Sequence, residues 1–185
     1  MWRRRDCAEC AIRGNVASVV TGTAGPLGWR DMELGAPEIA RRGMARLNAV
    51  HLAMLGTLRR DGSPRISPIE PYVTDGQLLI GTMAWSAKAH DLRRDPRYVL
   101  HSIVTGPDTG ENELKLYGSA AEVGQELRGA AADAWWLACE PGTAIVFSLG
   151  IVQAALVDWD TERGVMTTYQ WSSPSGYSQA SRPYP

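Results

Sequence analysis

Gly56-Thr57-Leu58-Arg59-Arg60-Asp61-Gly62-Ser63-Pro64-Arg65-Ile66-Ser67-Pro68-Ile69 is the stretch on which the reading of this chain turns. Asp61-Gly62 stands between two apolar runs, the pattern of a tight hairpin, because glycine accepts the positive φ that such turns demand. The arms read as strands over 50–59 and 64–73. The return arm carries Pro68 and Pro71, which have no N–H to give to a ladder. It is therefore expected at a sheet edge, or running past something other than a neighbouring strand. Thr74-Asp75-Gly76 reads as a second turn, and 77–82 as a third strand ending in Gly81-Thr82.

Beyond Thr82 the period changes. Ser86 can cap a helix that runs to Arg94 and stops at Asp95-Pro96. Strands are expected over 98–104 and 113–123, with a polar loop over 106–112. Leu127, Ala130, Ala131, Ala134, Trp135 and Ala138 recur at helical spacing, so a covering helix is expected there, with Trp135 and Trp136 as packing residues. A long strand over 143–159 and a last one over 164–171 follow. Upstream, Pro37 and Glu38 suit the first turn of a helix reaching about Leu47. Antiparallel strands joined by short turns, with helices as covers, predict a mainly β (α+β) fold. The expected form is a small closed or split barrel of about six to seven antiparallel strands in Greek-key-like order. The barrel domain is expected over 32–171, after a disordered extension over 1–31 and before a polar tail, or arm across a neighbour, over 172–185. Cys7 and Cys10 have C-x-x-C spacing, but no second pair and no strand–helix unit frames them, so they read as part of the extension.

Composition narrows the function. The chain has 185 residues, 44% hydrophobic and 21% charged, with a formal net charge of −1 and three cysteines. That charge gives no field to collect nucleic acid or anionic membrane. The longest apolar run, over 144–157, is broken by Ser148, Gly150 and Gln153 and is short of a membrane span. A reducing cytoplasm is the expected home. Of the 19 lysines and arginines only Lys88 and Lys115 are lysines, which marks each as a candidate for a specific task. No Gly-x-Ser-x-Gly, Walker loop or His-Glu-x-x-His motif occurs, and His51, His90 and His101 are scattered. No side chain is thus assigned a catalytic or metal-binding role. Any chemistry belongs to something the chain binds.

The order of pieces, T-x-x-x-D-G-x-P-x-x-x-P from Thr57, then Gly81-Thr82, then S-x-K-x-x-x-L-x-x-D-P-R from Ser86 to Arg97, resembles the FMN-binding split β-barrel family. These are the flavin and deazaflavin oxidoreductases related to pyridoxamine 5′-phosphate oxidase. The resemblance spans about 36–123. It implies an FMN cofactor, with a deazaflavin coenzyme as the alternative. It also implies a homodimer with sites in clefts between two barrels, and hydride transfer between the ring and a small-molecule substrate. A phosphate-tailed ring needs cations, hydroxyls and free backbone N–H groups. Ser86, Ala87 and Lys88 in the first helical turn, with Arg65 and Thr82 from neighbouring strands, are expected to cradle the phosphate. By resemblance the backbone of Ile66, Ser67 and Pro68 would face the ring. Trp85 and Trp171, or Tyr169, are expected as substrate-cleft walls.

Two departures stand out. Glu70 falls where the vitamin B6 oxidases carry a basic residue, and their closing Trp…Arg-Leu-x-Pro pattern is replaced by Ser181-Arg182-Pro183-Tyr184-Pro185. Vitamin B6 oxidation is thereby disfavoured. A non-catalytic cofactor binder is the main alternative. A haem-binding barrel would need an axial ligand from His51, His90 or His101.

Overall fold

Gly62 holds φ +82° and the Asp61 carboxylate accepts from the Ser63 backbone N–H at 3.0 Å, so the Asp-Gly turn closes the hairpin as its residues dictate. The computed structural model describes residues 27–104 and 112–184. Its helices are α1 (Trp29–Gly35), α2 (Pro37–Val50), α3 (Ala87–Arg94) and α4 (Gln125–Arg128). Its strands are β1 (Ala53–Leu58), β2 (Pro64–Ile69), β3 (Pro71–Thr74), β4 (Gln77–Met83), β5 (Arg97–Ser102), β6 (Glu113–Glu122), β7 (Ala144–Asp160), β8 (Val165–Ser172) and β9 (Gly176–Pro183). Neighbours along the sheet run β2-β1-β5-β6-β7-β4-β3, all antiparallel. The result is a split β-barrel whose sheet does not close.

The split has a chemical cause. The return arm expected as one strand is two: β2 pairs with β1, β3 pairs with β4, and Glu70 lies between them. Pro68 and Pro71 flank that residue, and neither can donate to a ladder. One continuous piece of chain thus supplies both ends of the sheet path, and the barrel opens at Glu70.

β7 is long because it serves three neighbours. Ala144–Ser148 pair with β4, Gln153–Asp160 pair with β8, and β6 runs along the other edge. Alternate β7 residues feed two cores. Ile145, Phe147, Leu149 and Ile151 enter the main core under α1 and α2, while Ala144 and Val146 enter a smaller one on the opposite face. In the main core Ile39, Leu55, Leu100 and Leu116 are fully buried. Each such side chain contributes about 1.5–3 kcal/mol by burial.

Three expectations are corrected. The helix expected over 127–138 is only α4 and a 3₁₀ turn at Trp135–Ala138. The Trp136 indole N–H donates to the Arg128 carbonyl at 2.9 Å, and the Thr74 hydroxyl donates to the Ala130 carbonyl at 3.1 Å. Those carbonyls are taken by side chains rather than by a continuing helix. The packing role stands: Trp136 is 2% exposed, and a β-carbon on Gly81 would lie 2.4 Å from its ring. Part of the expected tail is β9, paired with β8 from Ser172↔Gly176 to Val165↔Pro183. Every β9 residue is exposed, so no hydrophobic period announces it. Finally, ordered chain precedes the expected boundary at 32: Leu27 and Ile151 exchange backbone hydrogen bonds, and Trp29 is buried. The extension up to residue 26, with Cys7 and Cys10, and residues 105–111, which hold all of the expected polar loop but Asn112, lie outside the described residues. No helix among the described residues is long and apolar enough to cross a membrane.

Candidate functional site

α3 sits across the split, and its first turn organises the site. Ser86 is extended at φ −70°, ψ 146°, and its hydroxyl accepts from the Ala89 N–H at 3.4 Å. The N–H groups of Ala87 and Lys88 lie in the first turn, where no carbonyl of the helix can reach them. They and the helix dipole favour an anion there. Lys88 reaches across the split and donates from Nζ to the Pro68 carbonyl at 2.9 Å. Burial pushes its ammonium below the usual lysine value. The proline-bearing edge thus offers a carbonyl that no strand claims, and a lysine takes it.

Two cavities flank this turn. One, of about 380 Å³, holds Thr82, Ser86, Lys88 and Glu70, with Gly81, Met83, Trp85 and Trp135 as its apolar sides. The other, of about 480 Å³, is lined by Arg59, Arg60, Arg65 and Arg94 with His90, against Asp61 and Asp91; Ala87 completes it. Four arginines against two carboxylates leave this second space cationic.

The expected residues therefore surround one helix start without meeting at one point. Thr82, Ser86 and Lys88 face the first cavity, and Arg65 and Ala87 face the second. Thr82 is 1% exposed and its hydroxyl donates to the Ile145 carbonyl at 3.4 Å. Ile66, Ser67 and Pro68 lie on β2, with Ile66 and Pro68 exposed and Ser67 half-buried. Trp85 is 77% exposed and walls the first cavity.

Trp171 is a correction. It is 5% exposed in the main core, and its Nε1 lies so near Gly35 that a β-carbon there would be 2.4 Å away. It is not a cleft wall. Tyr169 is not placed in either cavity; its ring lies under the Arg42 guanidinium, 5.4 Å from the centroid. Lys115 pairs with Glu113, which also meets His101 Nε2 at 3.0 Å.

Sequence reasoning missed Asp91 and Arg94. Asp91 is buried and accepts from Thr57 at 3.0 Å, Arg65 at 2.6 Å and Arg94 at 2.8 Å. Burial pushes its carboxyl up, but the bonds from Arg94, Arg65 and Thr57 outweigh that and hold it below the ordinary range. The available signal was an aspartate between Ala89 and Leu92 on the buried side of α3. Among the described residues no three His, Cys, Asp or Glu side chains converge as a metal site.

The donor set fits a phosphate-bearing flat ligand. It has a helix start, a half-buried lysine and a cationic cavity for the anion, and β2 edge, Met83 and Trp85 for a ring. The family model for pyridoxamine 5′-phosphate oxidase matches residues 42–138, just over half the chain. A comparison with curated proteins finds no match. Among solved structures, PhzG from Burkholderia lata 383, in complex with tetrahydrophenazine-1-carboxylic acid, is 14% identical with a TM-score of 0.59, covering 84% of this chain and 95% of that one. A pyridoxamine 5′-phosphate oxidase-related, FMN binding protein from Nostoc punctiforme is 15% identical, TM-score 0.55, covering 80% and 95%. A heme binding protein from Mycobacterium smegmatis is 15% identical, TM-score 0.52, covering 77% and 92%.

Proposed function

The chain belongs to the pyridoxamine 5′-phosphate oxidase family, and from that premise we propose that it is an FMN-dependent oxidoreductase, with a deazaflavin coenzyme as the alternative cofactor. One observation carries the reading: Lys88, in the first turn of α3, bridges the split to Pro68 beside a cavity lined by four arginines. The ligand's phosphate would lie at the Ala87 and Lys88 N–H groups, with Lys88 and the arginines as counter-charge. Its ring would lie along the β2 edge at Ile66–Pro68. When bound, the cofactor supplies hydride transfer at its ring.

The chain's own residues bind, orient and exclude water. Lys88 holds the β2 edge at a fixed distance from α3. Trp85 and Met83 shield one side of the cavity, and Trp135 closes its floor over Gly81. Met83 and Trp85, which line this cavity, and Ile66 on β2 are exposed apolar side chains, 38%, 77% and 68% accessible. A second copy covering them would complete the cleft and dry it, so the working unit of this reading is a homodimer.

The test is the absorption spectrum of the purified protein with mass spectrometry of what it releases. Released FMN supports the first form and released deazaflavin the second. A colourless chain that takes up neither on titration would sink both. Turnover with a nicotinamide donor or an electron acceptor separates an oxidoreductase from a non-catalytic binder.

A further inference from the structure

Glu70 belongs to two cavities at once. It lines the 380 Å³ space at the start of α3, and it lines a second space of about 570 Å³ beyond β3. The second space is enclosed by the C-terminal end of α2, by β3 and by the segment after α4. Its volume lies within the range that holds small organic ligands. Val50, Pro71 and Val73 give it apolar wall.

Its charge differs in sign from the arginine cavity. Its ionisable groups are His51, Glu70, Tyr72 and Asp133, with no lysine or arginine. The Tyr72 hydroxyl donates to Glu70 Oε2 at 3.3 Å. Burial, and then the negative charge of Glu70, push the Tyr72 phenol up, and Asp133 lines the same space. The lining charge thus changes from one space to the next, from four arginines, through Lys88 and Glu70 in the space they share, to Glu70 and Asp133.

We propose that this space is the substrate pocket of the cofactor site, and that it takes an organic cation, a protonated amine seated between Glu70 and Asp133. The assignment rests on the cofactor reading above, since only that reading makes the neighbouring cavity a reaction site. A protonated amine gains charge-assisted hydrogen bonds from the carboxylates, and its apolar body lies on Val50 and Val73. A carboxylate or phosphate ester is rejected by repulsion at the same two residues, and that rejection supplies much of the discrimination.

Calorimetric titration of the full chain, with and without added FMN, tests this. The probes are benzylamine and tryptamine against their matched acids, benzoate and indole-3-acetate. At about pH 8 the probe amines are charged and the acids are ionised. Each amine is expected to bind about tenfold or more tightly than its acid. Glu70→Gln and Asp133→Asn, both at exposed positions, should each shrink that preference. FMN binding with no amine preference, or a preference unchanged in both variants, overturns the cation pocket and leaves the cofactor reading intact. A preference for amines in a chain that binds no flavin or deazaflavin keeps a cation-binding pocket but sinks the cofactor reading, and with it the assignment of the pocket to a substrate.

Discussion

Arg65 Nε lies 2.6 Å from Asp91 Oδ2, so the arginine that the return strand offers to an anion is already tied to a buried carboxylate. The Asp91 side chain is 4% exposed against 28% for Arg65. Asp91 also takes Thr57 and Arg94, and so fixes β1, β2 and the end of α3 to one another. Asp91→Ala leaves the Arg65 guanidinium and the buried Thr57 hydroxyl without this acceptor, while Arg94 keeps the Leu58 carbonyl. Breaking a buried pair on one side costs about 3–5 kcal/mol; the partial exposure of both arginines lowers this to about 2–4 here. The drop should appear as a lower urea midpoint with an unchanged slope. A loss under about 0.5 kcal/mol would show that Asp91 does not hold these elements together.

Lys88 carries the next prediction. It is half-buried, and its ammonium donates to the Pro68 carbonyl. Removing a charge-assisted contact costs about 1.5–3 kcal/mol, or roughly 10- to 150-fold in affinity. Lys88→Ala should therefore weaken FMN binding by that factor in a fluorescence-quenching titration. Lys88→Arg should recover part of it by keeping the charge. Equal affinity in wild type and Lys88→Ala would remove Lys88 from the site.

Acid stability follows from two carboxyls of α3, Asp91 within the helix and Asp95 at its C-cap. Asp91 is held below its ordinary 3.8, and Asp95 is drawn to about 2 chiefly by the Arg97 side chain, 2.6 Å away. A carboxyl whose folded value is depressed stabilises the fold fully above its unfolded value. That stability disappears as pH falls through the folded value. Urea midpoints should be flat from about pH 7 to about 4.5 and fall from there toward about pH 2. Asp91→Asn should lower the plateau and make the acid fall shallower. A parallel displacement of the whole curve would mean that Asp91 titrates alike in both states.

The parts legible in the sequence are those set by neighbours along the chain. Asp61-Gly62 closes its turn, Ser86 caps α3, and Asp95-Pro96 ends it, because each acts on backbone within a few residues. The prolines foretold an edge. That they divide one strand between two ends of the sheet depends on where β4 lies, which no local pattern states. Trp171 was misplaced because only Gly35, distant in sequence, makes its space. The alanine stripe after Leu127 has helical period, yet Trp136 and Thr74 take the carbonyls a helix would use. The site was half legible for the same reason. The first turn of α3 is local, while the division of Arg65 and Thr82 between two cavities is tertiary.

Gly81 joins fold to site. It lies on β4 opposite Val146, forms part of the wall of the Lys88 cavity, and has the Trp136 ring 2.4 Å and the Trp135 ring 2.9 Å from where a β-carbon would stand. The contact is with rigid indoles packed into the smaller core, so neither can move aside without opening that core. Gly81→Ala should cost about 1–3 kcal/mol by overpacking, and Gly81→Val more. Displacement of Trp135 would also reshape the cavity floor, so FMN affinity should fall together with the thermal midpoint, accompanied by a change in tryptophan near-ultraviolet circular dichroism. Gly35→Ala presses on Trp171 instead, and neither residue lines the cavities at the start of α3. It should lower the midpoint and leave the affinity of the folded protein unchanged. If both variants lost affinity in proportion to stability, the floor formed by Trp135 and Gly81 would have no separate part in holding the ligand.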